Sequence, residues 1–248
     1  MNINDWIAFH IGTPSSLRVI AFSYAGGSAM LYKNLFNPKD LNNIEVFGIE
    51  IPGRGKRFHE KRIVNIYDLI EKLKLVVDPL YTPKNTIILG YSLGALLAYE
   101  IALYLQEQGK LLHALCIIAR TPPHLSNSKE KRGNYSNTEL KKAMIKLNGT
   151  PQDILNSEDV LKFYLEILKD DFKLVDSYCF KKIKILSSPL YIYGGLYDNE
   201  VSFLELNQWN KYTKSNFKLR LFNGNHFFVN NCSEIFVNQL LNDLKEEY

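Results

Sequence analysis

The stretch GYSLGALLAYE (residues 90–100) decides the fold, because a single serine in it joins an apolar run to a helical pattern. The apolar run Thr86 to Leu89 comes directly before it, and helical spacing continues after the serine as far as Gln108. A strand that turns at once into a helix strains the turn residue, and glycines two positions before and after it leave room for the turn. This G-x-S-x-G pattern is typical of a nucleophile elbow.

Ser92, the serine of this pattern, is a candidate nucleophile. A tight glycine turn that only packs a helix on a strand leaves the same pattern, so both interpretations stand at this point. In the catalytic interpretation, the N–H of Leu93 at the helix start points toward the place where an oxyanion would form. A serine hydroxyl is a poor nucleophile without a base, so this interpretation requires a later histidine, with a carboxylate between the two in sequence.

Two later segments supply the acid and the base in that order. His226 lies in FNGNHFF (residues 222–228), a loop between the last predicted strand and the final helix. Asp198 follows two glycines in PLYIYGGLYDNEV (residues 189–201), at a strand end where sheet-borne active sites gather. Glu200 is a second candidate for the acid. Outside a triad, His226 would be an ordinary polar surface residue, and Asp198 would be a turn former or helix cap. The order serine, acid, histidine favours a catalytic triad.

A second oxyanion donor is expected from the loop after the first core strand. This loop reads FSYAGGSA (residues 22–29), and Gly26 and Gly27 allow its backbone amides to turn toward the serine. Ala25 is the expected donor. A flexible strand-to-helix turn is the alternative, whereas the glycine spacings of phosphate-binding loops are absent.

Outward from these motifs, short apolar runs alternate with helical patterns. The predicted strands are Leu17 to Phe22, Ile44 to Ile49, Thr86 to Leu89, Ala114 to Ala119, Leu190 to Tyr193 and Phe217 to Phe222. The helical patterns between them are Ile63 to Leu80, Leu93 to Gln108, Ser202 to Tyr212 and Glu234 to Lys245. The alternation predicts α/β architecture with a mostly parallel, doubly wound sheet. Helical patterns without a convincing strand predict a helical insertion at about residues 122–188, in a single domain spanning residues 1–248.

Composition limits the other function classes. The 248-residue chain is 46% hydrophobic and 23% charged, which is typical of a folded protein with a sizeable core. Its net charge of +4 forms no block of like charges, which argues against nucleic-acid binding. The three cysteines lie far apart, so we expect neither a zinc site nor a disulfide framework, and a cytoplasmic location. The serine chemistry proposed above needs no metal and no cofactor, so we expect none. No secretory signal or membrane-spanning run is recognisable, so we expect no membrane association.

Five motifs together resemble one family. They are FSYAGGSAMLY (residues 22–32), GIEIPGRGKRF (48–58), GYSLGALLAYE (90–100), PLYIYGGLYDNEV (189–201) and FNGNHFF (222–228). Over nearly the whole chain, they are similar to segments of the stand-alone type II thioesterases that accompany nonribosomal peptide and polyketide synthases, a branch of the α/β-hydrolase superfamily. PGRG is the most specific, since general lipases and esterases do not usually carry it. Tyr91, Leu93 and Ser23 depart from the family, which usually has histidine, methionine and proline there.

The resemblance implies an α/β-hydrolase fold in which Ser92, Asp198 and His226 form the triad. It implies that the amides of Ala25 and Leu93 form the oxyanion hole. The implied substrates are acyl or aminoacyl groups, stalled or incorrect, on the phosphopantetheine arm of carrier proteins, and the carrier is the implied partner. We expect the protein to act as a monomer. Two other functions stay open, a serine esterase or fatty-acyl thioesterase acting on free small substrates and a catalytically silent binding module.

The helical insertion would be a lid over the acyl site, and it carries further candidate residues. Candidates for an apolar wall, which would equally pack the lid on the core, are Phe163, Tyr164, Leu165 and Leu168. Basic residues that either dock an acidic carrier or form a solvated face are Lys129, Lys131, Arg132, Lys141, Lys142 and Lys146. Arg54 and Arg57 of the PGRG segment either contact a substrate or hold a structural turn.

Overall fold

One seven-stranded sheet runs through the centre of the computed structural model, which describes residues 2–13, 17–37, 39, 41, 43–126, 130–147, 149–150 and 152–245. The strands are β1 (Ile7–Ile11), β2 (Leu17–Phe22), β3 (Ile44–Ile49), β4 (Thr86–Tyr91), β5 (Ala114–Ile118), β6 (Leu190–Gly195) and β7 (Phe217–Phe222). Their order is β1-β3-β2-β4-β5-β6-β7, and only β1 and β3 pair antiparallel. The predicted mostly parallel sheet is confirmed.

β4 lies in the middle of the sheet, and all six of its residues are buried. Alternate side chains of a strand point to opposite faces, so Ile88 joins one apolar cluster while Ile87 and Leu89 join the other. Burial on both faces explains why this strand reads as a continuous apolar run rather than an alternating pattern. The elbow serine therefore follows a strand that the core holds on both sides.

Helices cover both faces of the sheet. The described α-helices are α1 (Met30–Leu35), α2 (Ile66–Val77), α3 (Leu93–Glu107), α4 (Pro123–Ser126), α5 (Asn137–Leu147), α6 (Gln152–Asn156), α7 (Glu158–Ser177), α8 (Phe203–Asn207), α9 (Phe228–Asn231) and α10 (Ser233–Lys245). α2 and α3 pack in the cluster on one face, whereas Tyr32 of α1 and Phe236 of α10 pack in the cluster on the other. In the described part of the chain, no helix is both long enough and apolar enough to span a membrane.

Two predicted helices end earlier than their apolar spacing suggests. The pattern predicted over residues 63–80 is α2 followed by a 3-10 turn, Asp78–Leu80, where Pro79 lacks the N–H that a continuing α-helix needs. The pattern predicted over residues 202–212 is α8 followed by a 3-10 turn, Gln208–Tyr212. In both cases the side chains stay on the same buried face although the backbone tightens.

The insertion, here α4 to α7, lies between β5 and β6, and its described residues contain no strand. It has an apolar cluster of its own, which comprises Leu140, Met144, Leu161, Leu165 and Leu168. α7 is its longest helix, with 20 residues. The N-terminus of α5 has a reciprocal cap, since the Ser136 N–H donates to the Glu139 carboxylate at 2.7 Å and the Glu139 N–H donates to the Ser136 hydroxyl at 3.3 Å.

The sequence prediction missed β1. The strand reads IAFHI and is only partly buried, so its apolar pattern is interrupted by the exposed His10. Its antiparallel pairing with β3 is stabilised by side chains instead, because His10 stacks on Phe47 at 4.1 Å and bonds Glu45 at 2.9 Å. β1 thereby covers the edge of the sheet that β3 would otherwise expose.

Candidate active site

Ser92 stands in the sharp turn between β4 and α3, at φ 51° and ψ −106°. This conformation is strained for a residue with a side chain. A Cβ on Gly90 would lie 2.3 Å from the carbonyl oxygen of Gly94, and a Cβ on Gly94 would lie 2.1 Å from that of Phe22. Only glycine fits at either position, so both are required for α3 to begin this close to the strands. The Ser92 N–H donates to the Ile118 carbonyl at 2.9 Å, which ties the turn to β5.

Ser92, His226 and Asp198 form one hydrogen-bonded chain of side chains. The Ser92 hydroxyl lies 3.2 Å from Nε2 of His226, and Nδ1 of His226 lies 2.8 Å from the Asp198 carboxylate. An ionised carboxylate only accepts hydrogen bonds, so Nδ1 carries the hydrogen and Nε2 is left to accept the one from the serine. The Asp198 side chain is fully buried and that of His226 is 10% exposed. This arrangement can remove a proton from the serine hydroxyl.

Asp198, rather than Glu200, meets the histidine. The second carboxylate oxygen of Asp198 accepts the backbone N–H groups of Glu200 at 2.7 Å and Val201 at 3.2 Å, which fixes the orientation of the acid. The Glu200 side chain turns the other way and pairs with Arg132 at 2.8 Å. The structure thus brings together Ser92, Asp198 and His226, and it separates the competing carboxylate from them.

Tyr91 anchors the loop that carries His226, a role that was not predicted from the sequence. Its ring is fully buried, and its hydroxyl donates to the backbone carbonyl of His226 at 2.5 Å. The same loop is fastened to the acid loop by the Tyr197 N–H, which donates to the Gly224 carbonyl at 2.9 Å. The signal in the sequence was the position of Tyr91 directly before the elbow serine, where the family usually has histidine.

Replacing Tyr91 with phenylalanine is expected to destabilise the fold by about 1–3 kcal/mol, because the buried His226 carbonyl loses its partner. It should also lower kcat several-fold with little change in KM, since the imidazole loses one of its anchors. Urea unfolding and steady-state kinetics measure the two effects. Tyr99→Phe is the matched control: Tyr99 is a buried residue of α3, and its hydroxyl donates to the Lys184 carbonyl at 3.0 Å. An equal loss of kcat in both variants would contradict a positioning role for Tyr91.

A chamber opens beside Ser92, between the carboxyl ends of the strands and the insertion. Its described lining residues are Tyr24, Ala25, Ser92, Leu93, Ala119, Arg120, Thr121, Glu130, Arg132, Met144, Leu147, Thr150, Tyr164, Leu168, Phe172, Val175, Asp176, Glu200, Val201, His226 and Phe227. Of the four wall candidates from the sequence, Tyr164 and Leu168 line it. Phe163 instead packs on Phe58 with ring centroids 4.9 Å apart, and Leu165 is buried in the apolar cluster of the insertion.

Ala25 and Leu93, the expected oxyanion donors, both line this chamber. Leu93 is the first residue of α3, and a first-turn amide has no acceptor within its own helix. In the loop after β2, the Gly26 N–H donates to Asp171 at 2.6 Å and the Gly27 N–H donates to a carbonyl of the same loop at 2.9 Å. Among the described residues, the Ala25 N–H has no acceptor, so a ligand in the chamber can use this amide.

Arg54 and Asp171 form a buried ion pair that joins the glycine turn to α7. Both nitrogens of the Arg54 fork reach the carboxylate, at 2.7 and 2.5 Å, and Arg54 also donates to the Gly27 carbonyl at 3.1 Å. Burial acts to lower the pKa of Arg54, but the Asp171 carboxylate outweighs it and the pKa is raised. The same carboxylate receives the Gly26 N–H, so one buried pair fixes the loop that carries Ala25.

Arg57 is also buried and makes its contacts inside the protein. Its guanidinium lies 3.8 Å from the centre of the Trp6 ring and donates to the Glu50 carbonyl at 3.2 Å. Glu50 accepts the Ser28 hydroxyl at 2.5 Å, and burial raises the pKa of this carboxyl. Arg54 and Arg57 are both buried and line no part of the chamber that the structure describes. Of the two interpretations of PGRG, the structural turn agrees with these contacts.

Comparison with known proteins agrees with the motifs. The thioesterase domain family matches residues 17–246. The gramicidin S biosynthesis protein GrsT of Aneurinibacillus migulanus is 28% identical over 232 residues, which cover 92% of this chain and 89% of that protein. The type II thioesterase BorB from the borrelidin biosynthetic cluster superposes with a TM-score of 0.86 at 25% identity, over 98% of this chain and 99% of that one. The RedJ thioesterase of the Streptomyces coelicolor prodiginine pathway gives 0.85 at 26% identity, over 97% and 94%.

These neighbours confirm the α/β-hydrolase fold and the resemblance to type II thioesterases that the motifs indicated. The match begins at the first residue of β2 and covers the whole of α10. It includes the elbow, the PGRG segment, and the acid and histidine loops. The chain therefore belongs to the thioesterase domain family.

Proposed function

We propose that this protein is a type II editing thioesterase, which removes stalled or incorrect acyl and aminoacyl groups from the phosphopantetheine arm of carrier proteins in nonribosomal peptide or polyketide synthesis. The observation that carries the proposal is the hydrogen-bonded chain from Asp198 through His226 to Ser92, at the side of a chamber with an apolar wall. Family membership supports the thioester as the bond that is cleaved. The proposed location is the cytoplasm, where such carriers are loaded.

In the proposed reaction, the Ser92 oxygen attacks the thioester carbonyl while Nε2 of His226 takes the hydroxyl proton. The tetrahedral oxyanion accepts hydrogen bonds from the Ala25 and Leu93 amides. The carbon–sulfur bond then breaks, and the imidazolium returns its proton to the departing thiolate, which leaves an acyl-serine. His226 then takes a proton from a water molecule, which attacks this ester to form a second tetrahedral intermediate. Its collapse releases the carboxylic acid, and the imidazolium returns the proton to the Ser92 oxygen. Asp198 stabilises the imidazolium in both halves.

The carrier protein is the proposed partner, and α5 offers a surface to test. Lys141, Lys142 and Lys146 are exposed on this helix of the insertion. Arg132 is not part of that surface, because it lines the chamber and pairs with Glu200. Of the two remaining members of the basic group, Lys131 is exposed outside α5 and Lys129 lies outside the described residues. Positive charge on α5 complements the acidic surface expected around the arm of a carrier.

The proposal is tested by following deacylation of an acyl carrier protein against the matched acyl-coenzyme A. Hydrolysis should be faster on the carrier at equal concentrations, and intact-protein mass spectrometry should trap the acyl group on Ser92. Combining Lys141→Glu, Lys142→Glu and Lys146→Glu should raise KM for the carrier substrate and leave KM for acyl-coenzyme A unchanged. Preference for the free thioester or for oxygen esters would instead indicate an esterase or fatty-acyl thioesterase, and absence of turnover on every substrate would indicate a binding module.

A further inference from the structure

The chamber has two unlike sides. The insertion contributes an apolar wall, which includes Met144, Leu168 and Phe172. Arg120 and Thr121, which follow the end of β5, contribute a polar part of the wall. A second cavity adjoins this polar side and shares Arg120 and Thr121 with the chamber. A chamber built only for saturated chains would not place a guanidinium there, because burying a charge against a hydrocarbon is costly.

Arg120 is enclosed by protein and makes few hydrogen bonds, although the charge of Asp176 acts on its guanidinium. Burial lowers its pKa to about 10, so it is still a cation at neutral pH. Arg120 is partly exposed, and it lines both cavities. Among the described residues, Nε has no acceptor, no carboxylate forms an ion pair with the guanidinium, and its one hydrogen bond is a long one of 3.4 Å to Ser126. Its main chain is fixed, because the Arg120 carbonyl accepts the Trp209 indole N–H at 2.7 Å.

The other charges at this side of the chamber are already engaged. Glu130 bonds the Tyr135 hydroxyl, Asp176 accepts the Gly133 N–H at 2.6 Å, and Glu200 pairs with Arg132 at 2.8 Å. An ammonium group placed beside Arg120 would instead face a like charge. Carboxylates also outnumber guanidiniums among the described lining residues by three to two, so the net charge of the lining does not favour a negatively charged acyl group. The Arg120 guanidinium therefore has N–H groups that a neutral oxygen of a bound acyl group could accept.

We propose that Arg120 is a specificity-determining residue, which donates hydrogen bonds to a neutral oxygen of the acyl group and so selects oxygenated acyl groups over saturated ones of the same length. Oxo, hydroxyl and amide oxygens share this chemistry. The inference rests on the proposed function, because it concerns the acyl group of the thioester attacked at Ser92. The adjoining cavity gives a longer oxygenated chain room to continue past Arg120.

The test uses two substrate pairs loaded on one carrier protein, butyryl with acetoacetyl and hexanoyl with 5-oxohexanoyl. Each pair differs by the presence of one carbonyl oxygen. For wild type and Arg120→Met, the measured quantity is the ratio of kcat/KM for the oxo substrate to kcat/KM for its saturated partner. Comparing this ratio between enzymes removes the intrinsic reactivity of each thioester. In at least one pair, Arg120→Met should lower the ratio about 10- to 100-fold, as expected for a hydrogen bond from a charged donor.

Arg132→Met is the matched control, since it removes a guanidinium from the same chamber that is already paired with Glu200. It should change both members of a pair alike. Ratios in Arg120→Met within twofold of wild type for both pairs would overturn the inference while leaving the proposed function intact; no hydrolysis of any of the four substrates by wild type would overturn both. If Arg120→Met does not fold, the wild-type ratio decides: it should exceed the ratio of hydroxide-catalysed hydrolysis rates about tenfold, and equality would refute the role of Arg120.

Discussion

Ser92→Ala is expected to lower kcat for thioester hydrolysis by about a thousandfold or more while the protein stays folded. The alanine keeps the elbow backbone but removes the oxygen that would carry the acyl group. His226→Ala should cause a loss of similar size, because the hydroxyl then has no base. Groups that act as a unit are not additive, so the double variant should be hardly slower than either single variant.

Single-turnover hydrolysis of an acyl carrier protein measures this loss, and thermal unfolding checks that the variants fold. Ser215→Ala, in the exposed turn before β7, is the control for a serine deletion outside the site and should match wild type. Turnover of Ser92→Ala within tenfold of wild type would show that another group is the nucleophile. Full multiplicative losses in the double variant would show that the two residues act independently.

Asp171→Leu is expected to have the largest effect on stability, about 3–5 kcal/mol. It leaves the buried Arg54 guanidinium without its counter-ion and removes the acceptor of the Gly26 N–H. Breaking one partner of a buried pair costs more than the pair contributes in net terms, because the remaining charge is desolvated and unmatched. Urea unfolding gives the free energy directly.

The double variant Arg54→Met with Asp171→Leu is the control, because it removes both charges and leaves apolar groups of similar length. It should recover most of the lost stability. Its kcat should nevertheless stay below that of wild type, since neither the Gly26 N–H nor the Gly27 carbonyl regains its partner and the loop that carries Ala25 is less constrained. Full recovery of kcat in the double variant would mean that the ion pair does not position this loop.

Much of the fold follows from local patterns. The strands β2 to β7 are apolar runs bounded by turn residues, and a chain that alternates such runs with helices has few ways to bury both faces of a sheet. β1 was not predicted because the exposed His10 interrupts its apolar pattern. His10 stacks on Phe47 of β3, a contact that no local pattern encodes. The helices over residues 63–80 and 202–212 were identified by type, but their ends depend on where the backbone tightens into 3-10 turns.

The candidate site divides in the same way. Chain order was enough to select Ser92, His226 and an acid in the segment of Asp198 and Glu200, and the hydrogen bonds agree with the choice of Asp198, although the catalytic roles stay predictions until the variants are measured. The order could not separate Asp198 from Glu200, since two residues of difference decide which carboxylate faces the histidine. Nor could it reveal the bond between Arg54 and Asp171, which are 117 positions apart and meet only once α7 is docked.

Because the Gly26 N–H bonds Asp171, the two proposed oxyanion donors depend on different parts of the fold. Ser92 and Leu93 lie at the junction of β4 and α3, which pack in the core. Ala25, the other proposed oxyanion donor, lies in a loop that is held by a side chain of α7. In the proposed mechanism, an α7 lifted to admit a substrate would leave the loop of Ala25 without this anchor, and its return over the bound acyl group would restore both oxyanion donors.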